Sequence, residues 1–112
     1  MAIFEITVRR DGDPVHEVLR PDDLPDVLGT GVELAQRLQK LGTEVARNTH
    51  PHSGHDSLFL GTISCGEIYN QAATECQVKG TRRWVEPGAE DEVRAEINQI
   101  LQQLAAESNT QI

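Results

Sequence analysis

The chain has 112 residues, with 18 acidic and 10 basic side chains and a formal net charge of −8. That length makes one domain rather than two, and the acidity disfavours general binding to phosphate backbones. Its aromatic residues are two Phe, one Tyr and one Trp (Phe4, Phe59, Tyr69 and Trp84), so the core has to be aliphatic.

The charge is unevenly placed. Acids outnumber bases in residues 1–31 and again in 87–112, whereas 32–86 is balanced. A small anionic ligand would therefore find its place in the middle of the chain. The opening, Met-Ala-Ile-Phe-Glu-Ile-Thr-Val-Arg-Arg, has no long apolar run of the kind a signal peptide or membrane span needs. The expectation is a cytoplasmic protein with no membrane association. Its two cysteines, Cys65 and Cys76, suit a reducing compartment.

Residues 2–10 read as a strand, with Phe4, Ile6 and Val8 on one face and Glu5, Thr7 and Arg9 on the other. Asp11-Gly12-Asp13-Pro14 supplies a turn, and 15–20 returns as a second strand at an edge. Pro21-Asp22-Asp23 looks like a helix start, which Gly29-Thr30-Gly31 should interrupt or kink. A longer helix follows over about 32–47, because Leu34, Leu38, Leu41 and Val45 form a continuous apolar stripe. Gly42 either weakens this helix or lets another backbone come close.

After a polar loop at 48–56, Ser57-Leu58-Phe59-Leu60-Gly61-Thr62-Ile63 is the most continuously apolar run, which places it in the centre of a sheet. Ser64-Cys65-Gly66-Glu67 reads as a capping box opening a short helix to Cys76; a strand over 65–76 is the rival reading. On one helix the two cysteines would lie roughly 16 Å apart at about 1.5 Å per residue, beyond disulfide reach. Residues 77–86 alternate as a fourth strand, and 89–107 form the last helix, with Val93, Ile97, Ile100 and Leu104 in a stripe.

The fold expected is two-layer α+β in the order β-β-α-β-α-β-α. A four-stranded, mostly antiparallel sheet carries two long amphipathic helices and one short helix. Residues 1–107 make the compact domain, and 108–112 a frayed polar tail.

Four places bear on function. His50-Pro51-His52-Ser53-Gly54-His55-Asp56 holds three of the four histidines. His50, His52 and His55 with Asp56 would suit zinc, the alternative being a solvated polar loop. Cys65, at a helix start, would be an activated thiol. However, the loop and Cys65 lie at opposite ends of the apolar strand, which leaves His16 as the remaining base. Third, Ser64, Cys65 and Gly66 would offer amides to a phosphate, helped by Lys79, Arg82 and Arg83, with Trp84 as a stacking surface. Fourth, Val93, Ile97, Ile100, Leu101 and Leu104 make a wide apolar band flanked by uncharged Gln and Asn, a modest interface signature.

The function expected is that of a small acidic adaptor, more an association protein than an enzyme, binding a protein partner or itself through the last helix. Two alternatives stand beside it: a binder of a small phosphate-bearing ligand at Ser64–Glu67, and a zinc- or thiol-dependent enzyme.

Overall fold

A computed structural model describes residues 1–52 and 54–112. The elements are β1 (Ala2–Arg9), β2 (Val15–His16), a 3-10 turn (Glu17–Leu19), α1 (Val27–Val45), β3 (Thr49–His50), β4 (Gly54–His55), β5 (Ser57–Cys65), β6 (Gln71–Ala72), β7 (Glu75–Arg83) and α2 (Glu90–Ser108). The fold is the two-layer α+β arrangement that the sequence implies, with two long helices over an antiparallel sheet. The main sheet has three strands in the order β1-β7-β5.

β1 alternates as expected. Ile6 and Val8 are buried, opposite Val78 and Cys76 of β7. These four join Val27, Leu34 and Leu38 of α1 and Leu104 of α2 in one core. Phe4, Leu58, Leu60 and Cys65 extend it on the same face of the sheet. The Phe4 ring lies over Gly80, where a Cβ would meet the ring at 2.7 Å. Next to this close approach, the β5–β7 register shifts between Leu60 and Thr62, a bulge at Gly61.

α1 begins earlier than the apolar stripe alone suggests. Asp26 is its N-cap, and the Asp26 Oδ1 accepts a hydrogen bond from the Gly29 N–H at 2.9 Å. The Gly29-Thr30-Gly31 segment does not interrupt it. Thr30 Oγ1 donates back to the Asp26 carbonyl at 2.6 Å. Gly31 leaves room for the Cys76 Sγ, which a Cβ would overlap. Gly42 serves the second of its two expected roles: a Cβ there would stand 2.9 Å from the Leu58 carbonyl oxygen. Both glycines bring α1 close to the sheet, one at each end of β5.

The short helix expected over 65–76 is absent, and the rival strand reading holds only at the two ends and at Gln71–Ala72. β5 runs through to Cys65, a turn with Gly66 at φ +78° follows, and β7 returns from Glu75. The second strand is also shorter than expected. Only Val15–His16 is extended, and it pairs with Gln71–Ala72 of β6 rather than with β1.

The final residues are not frayed. Asn109 ends α2 in the left-handed conformation at φ 55°. Gln111 then exchanges two 2.8 Å backbone hydrogen bonds with Arg9, Thr110 is buried, and Ile112 packs against the core. Among the described residues, no helix is long and apolar enough to cross a membrane.

Candidate functional site

The histidine loop is a small hairpin, β3 against β4, with Thr49 opposite His55; Ser53 lies outside the described residues. His50 and His52 sit with ring centroids 6.0 Å apart. His55 Nδ1 is turned to the Asp56 carbonyl at 2.7 Å. The Asp56 carboxylate points the other way, into the protein, and is fully engaged. It accepts from Arg82 Nη1 at 3.1 Å, the Val85 N–H at 3.0 Å and Asn48 Nδ2 at 3.2 Å. Burial alone would push the Asp56 carboxyl up, but the Val85 amide, the Arg82 guanidinium and the Asn48 amide together hold it below its ordinary value. Among the described residues, no three His, Cys, Asp or Glu side chains converge as a metal site. The imidazoles and Asp56 are thus not brought together.

The proposed anion set is dispersed as well. Because β5 continues through Ser64 and Cys65, there is no helix N-terminus to offer free amides at that point. Ser64 lies opposite Gln77, about 17 Å along β7 from Arg82 at about 3.3 Å per residue. The Arg82 guanidinium is buried between Asp56 and Glu96. Lys79 reaches Glu5 at 3.8 Å. Arg83 is exposed and Trp84 half-buried, both where β7 ends.

On α2, Val93 and Leu104 are buried, and Ile97, Ile100 and Leu101 pack against the same core. The apolar band therefore faces this chain's own sheet. Arg37 of α1 braces the two helices, donating to Glu33 at 2.9 Å and to Glu107 at 2.6 Å.

The surface left unpartnered is β5. Its apolar run led to the expectation of a central strand, but β7 is the centre and β5 an edge. The continuous apolarity has a different cause from two-sided burial in one subunit. Leu58 and Leu60 pack inward, while Phe59 remains 65 % and Ile63 50 % exposed. All nine residues of β5 are uncharged, in a chain of net charge −8. Edge strands are ordinarily protected by charges, proline, brevity or a bulge, and of these β5 has only the bulge at Gly61. β1, the opposite edge, carries Glu5 and Arg9 and is bridged at one end by Gln111. Along β5, the outer side of α1 exposes Leu28 and Val32. A groove of about 580 Å³ is lined by Gln39, Gly42, Thr43, Ala46 and Leu58–Leu60.

At the Cys65 end of β5, the β2–β6 ribbon forms a polar tip with little local signature in the sequence. His16 Nδ1 accepts from the Val18 N–H at 3.3 Å, and His16 Nε2 meets the Asn70 amide at 3.2 Å. A neutral imidazole has one N–H. The atom that faces Nε2 is Asn70 Nδ2, and the direction of that contact follows the tautomer of the ring. His16 is therefore engaged with Asn70 and the 3-10 turn rather than with Cys65. Tyr69 beside it is fully exposed. The base of the tip is fastened by Arg10, which is buried and donates to the carbonyls of Asp11, Asp13, Ala72 and Ala73 at 3.0–3.1 Å. A sequence signal for Arg10 existed only in its position, a charge placed next to a turn at the end of an alternating strand.

No family model matches the chain, and no curated protein matches it. Solved structures do. A protein assigned as an amidohydrolase/peptidase from Burkholderia cenocepacia superposes with a TM-score of 0.75 at 18% identity, over 97% of this chain and 25% of its own. An amidase of the hydantoinase/carbamoylase family from Burkholderia multivorans gives 0.74 at 14%, again over 97% and 25%. The aminobenzoyl-glutamate utilization protein from Klebsiella pneumoniae gives 0.63 at 19%, over 99% and 26%. The likeness is one of fold, and the chain spans about a quarter of the length of these proteins.

Proposed function

We propose that this chain is an association domain of an amidase-type hydrolase architecture, joining a second copy of itself edge to edge through β5. The observation that carries this reading is the uncharged, largely apolar edge of β5 beside the exposed row on α1. A second copy is the occupant that fits. An uncharged strand is self-complementary when paired antiparallel about a two-fold axis, whereas the rest of this acidic surface repels its own kind. β5 and α1 are each about 30 Å long, at about 3.3 and 1.5 Å per residue. Side by side they offer a footprint roughly 30 by 20 Å, on the scale of the about 800 Å² per partner that stable pairs bury.

The hydrolase setting is supported by the match of nearly the whole chain to one quarter of each of these proteins. The adaptor character expected from the sequence is kept, with its surface moved from α2 to β5.

Sedimentation over a concentration series tests the pairing. A dimer that Phe59→Lys and Ile63→Lys each convert to a folded monomer is expected. A wild-type monomer at several hundred micromolar defeats the reading. The hydrolase setting is tested by replacing the matched quarter of the Burkholderia multivorans amidase with this chain. A folded chimaera that has lost amide cleavage counts against it.

A further inference from the structure

Cys65 and Cys76 are direct partners across the β5–β7 ladder. The next pair along is hydrogen-bonded, Gly66 N–H to the Glu75 carbonyl at 3.4 Å. Bonded and non-bonded pairs alternate in an antiparallel ladder, so Cys65 and Cys76 form a non-bonded pair, whose Cα atoms stand about 4.5 Å apart. That lies at the short end of the separation a disulfide spans. Both side chains are on the helix face, Cys76 in the core and Cys65 packed against it. Both are free thiols.

We propose that Cys65 and Cys76 form a redox modification site, a dithiol that peroxide closes to an intramolecular cross-strand disulfide. Cys65 is half-buried and so is the thiol that meets the oxidant, whereas Cys76 is wholly out of water. Burial pushes the Cys76 thiol up to about 12, and its contact with Cys65 adds to the shift. Cys76 therefore stays protonated at neutral pH and is the resolving partner.

In the first step the Cys65 sulfur attacks one peroxide oxygen. The S–O bond forms, the O–O bond breaks, and the leaving hydroxide takes the thiol proton as water. In the second step Cys76 attacks the Cys65 sulfur. The S–S bond forms, the S–O bond breaks, and a second water leaves with the Cys76 proton. Two thiols and one peroxide give one disulfide and two waters. The bond would close the base of the 66–75 turn, the segment that holds Asn70 against His16. No residue of a second copy is needed, so this inference stands apart from the pairing through β5.

The test is peroxide treatment of the folded chain followed by mass spectrometry and thermal melting. The expected product has lost two hydrogens per chain, runs as a single chain on a non-reducing gel, and melts about 5–15 °C higher, reversibly with dithiothreitol. Cys65→Ser is expected to leave Cys76 reduced. Cys76→Ala, which keeps the core apolar, is expected to leave a Cys65 sulfenic acid that dimedone traps. Thiols that survive peroxide while folded, or cross-linking only between chains, overturn the assignment. So does a disulfide that forms only in urea.

Discussion

The Asp56 carboxylate and the Arg82 guanidinium meet at 3.1 Å with 8 % and 3 % of their side chains exposed. Around them Glu96 takes the other side of the guanidinium at 3.2 Å, and Asn48 and the Val85 amide complete the carboxylate. This cluster ties the start of β5, the end of β7 and α2 together. Removing one partner leaves the other charged and buried. Asp56→Ala is therefore expected to cost about 3–5 kcal/mol in urea denaturation.

The same carboxylate sets an acid limit. Its folded-state value is below its ordinary 3.8, so the stability it adds is present above that value. This stability is lost as pH falls through the lowered folded value. Stability measured from pH 5 downward should drop, and Asp56→Asn should flatten that part of the curve. An unchanged slope in the variant would place the acid sensitivity on other carboxylates.

Gly31 and Cys76 form a second tight pair. A Cβ at position 31 overlaps the buried sulfur, so Gly31→Ala is expected to destabilise by about 1–3 kcal/mol. Cys76→Ala alone opens a small space. Combined, the two changes should recover part of the loss, and a double-mutant cycle reads this as a coupling of about 1 kcal/mol or more. Strict additivity would mean that α1 simply moves away.

Arg10 holds four carbonyls with one planar fork. Lysine keeps the charge and length but cannot span those acceptors. Arg10→Lys is expected to raise hydrogen exchange selectively at Val15, His16, Gln71 and Ala72, with the β1–β7 ladder unchanged. Uniform exchange across both sheets would show that Arg10 supports the whole domain.

His16 and Asn70 meet at 3.2 Å at the exposed end of the molecule. Asn70→Ala is therefore expected to change global stability in urea denaturation by less than about 1 kcal/mol.

Where side-chain periodicity was strong, the fold was legible in the sequence. The alternation of Phe4, Ile6 and Val8 and the stripes of α1 and α2 mark faces buried in the structure. The failures came where tertiary context decides. Ser64–Glu67 satisfies a capping box chemically, but Cys65 and Cys76 are pulled into a ladder whose register a local pattern does not reveal. The apolarity of 57–63 does not say whether its second face is covered by the same chain or by another. The histidine cluster was conspicuous by composition, yet the one buried carboxylate beside it faces Arg82. The polar tip depends on Arg10 reaching residues 72 and 73, a contact with no local signature.

The register of β1 has a consequence for the order of folding. Ala2 pairs with Arg82 and Arg9 with Glu75, so closing β1 onto β7 joins residues far apart along the chain. The β5–β7 pair closes over residues 66–74 and can form first, whereas β1 must wait. Until β1 docks, Phe4, Ile6 and Val8 and the β7 face that receives them both stand open to water. The step that completes the core is also the one that hides the segment most open to stray contacts.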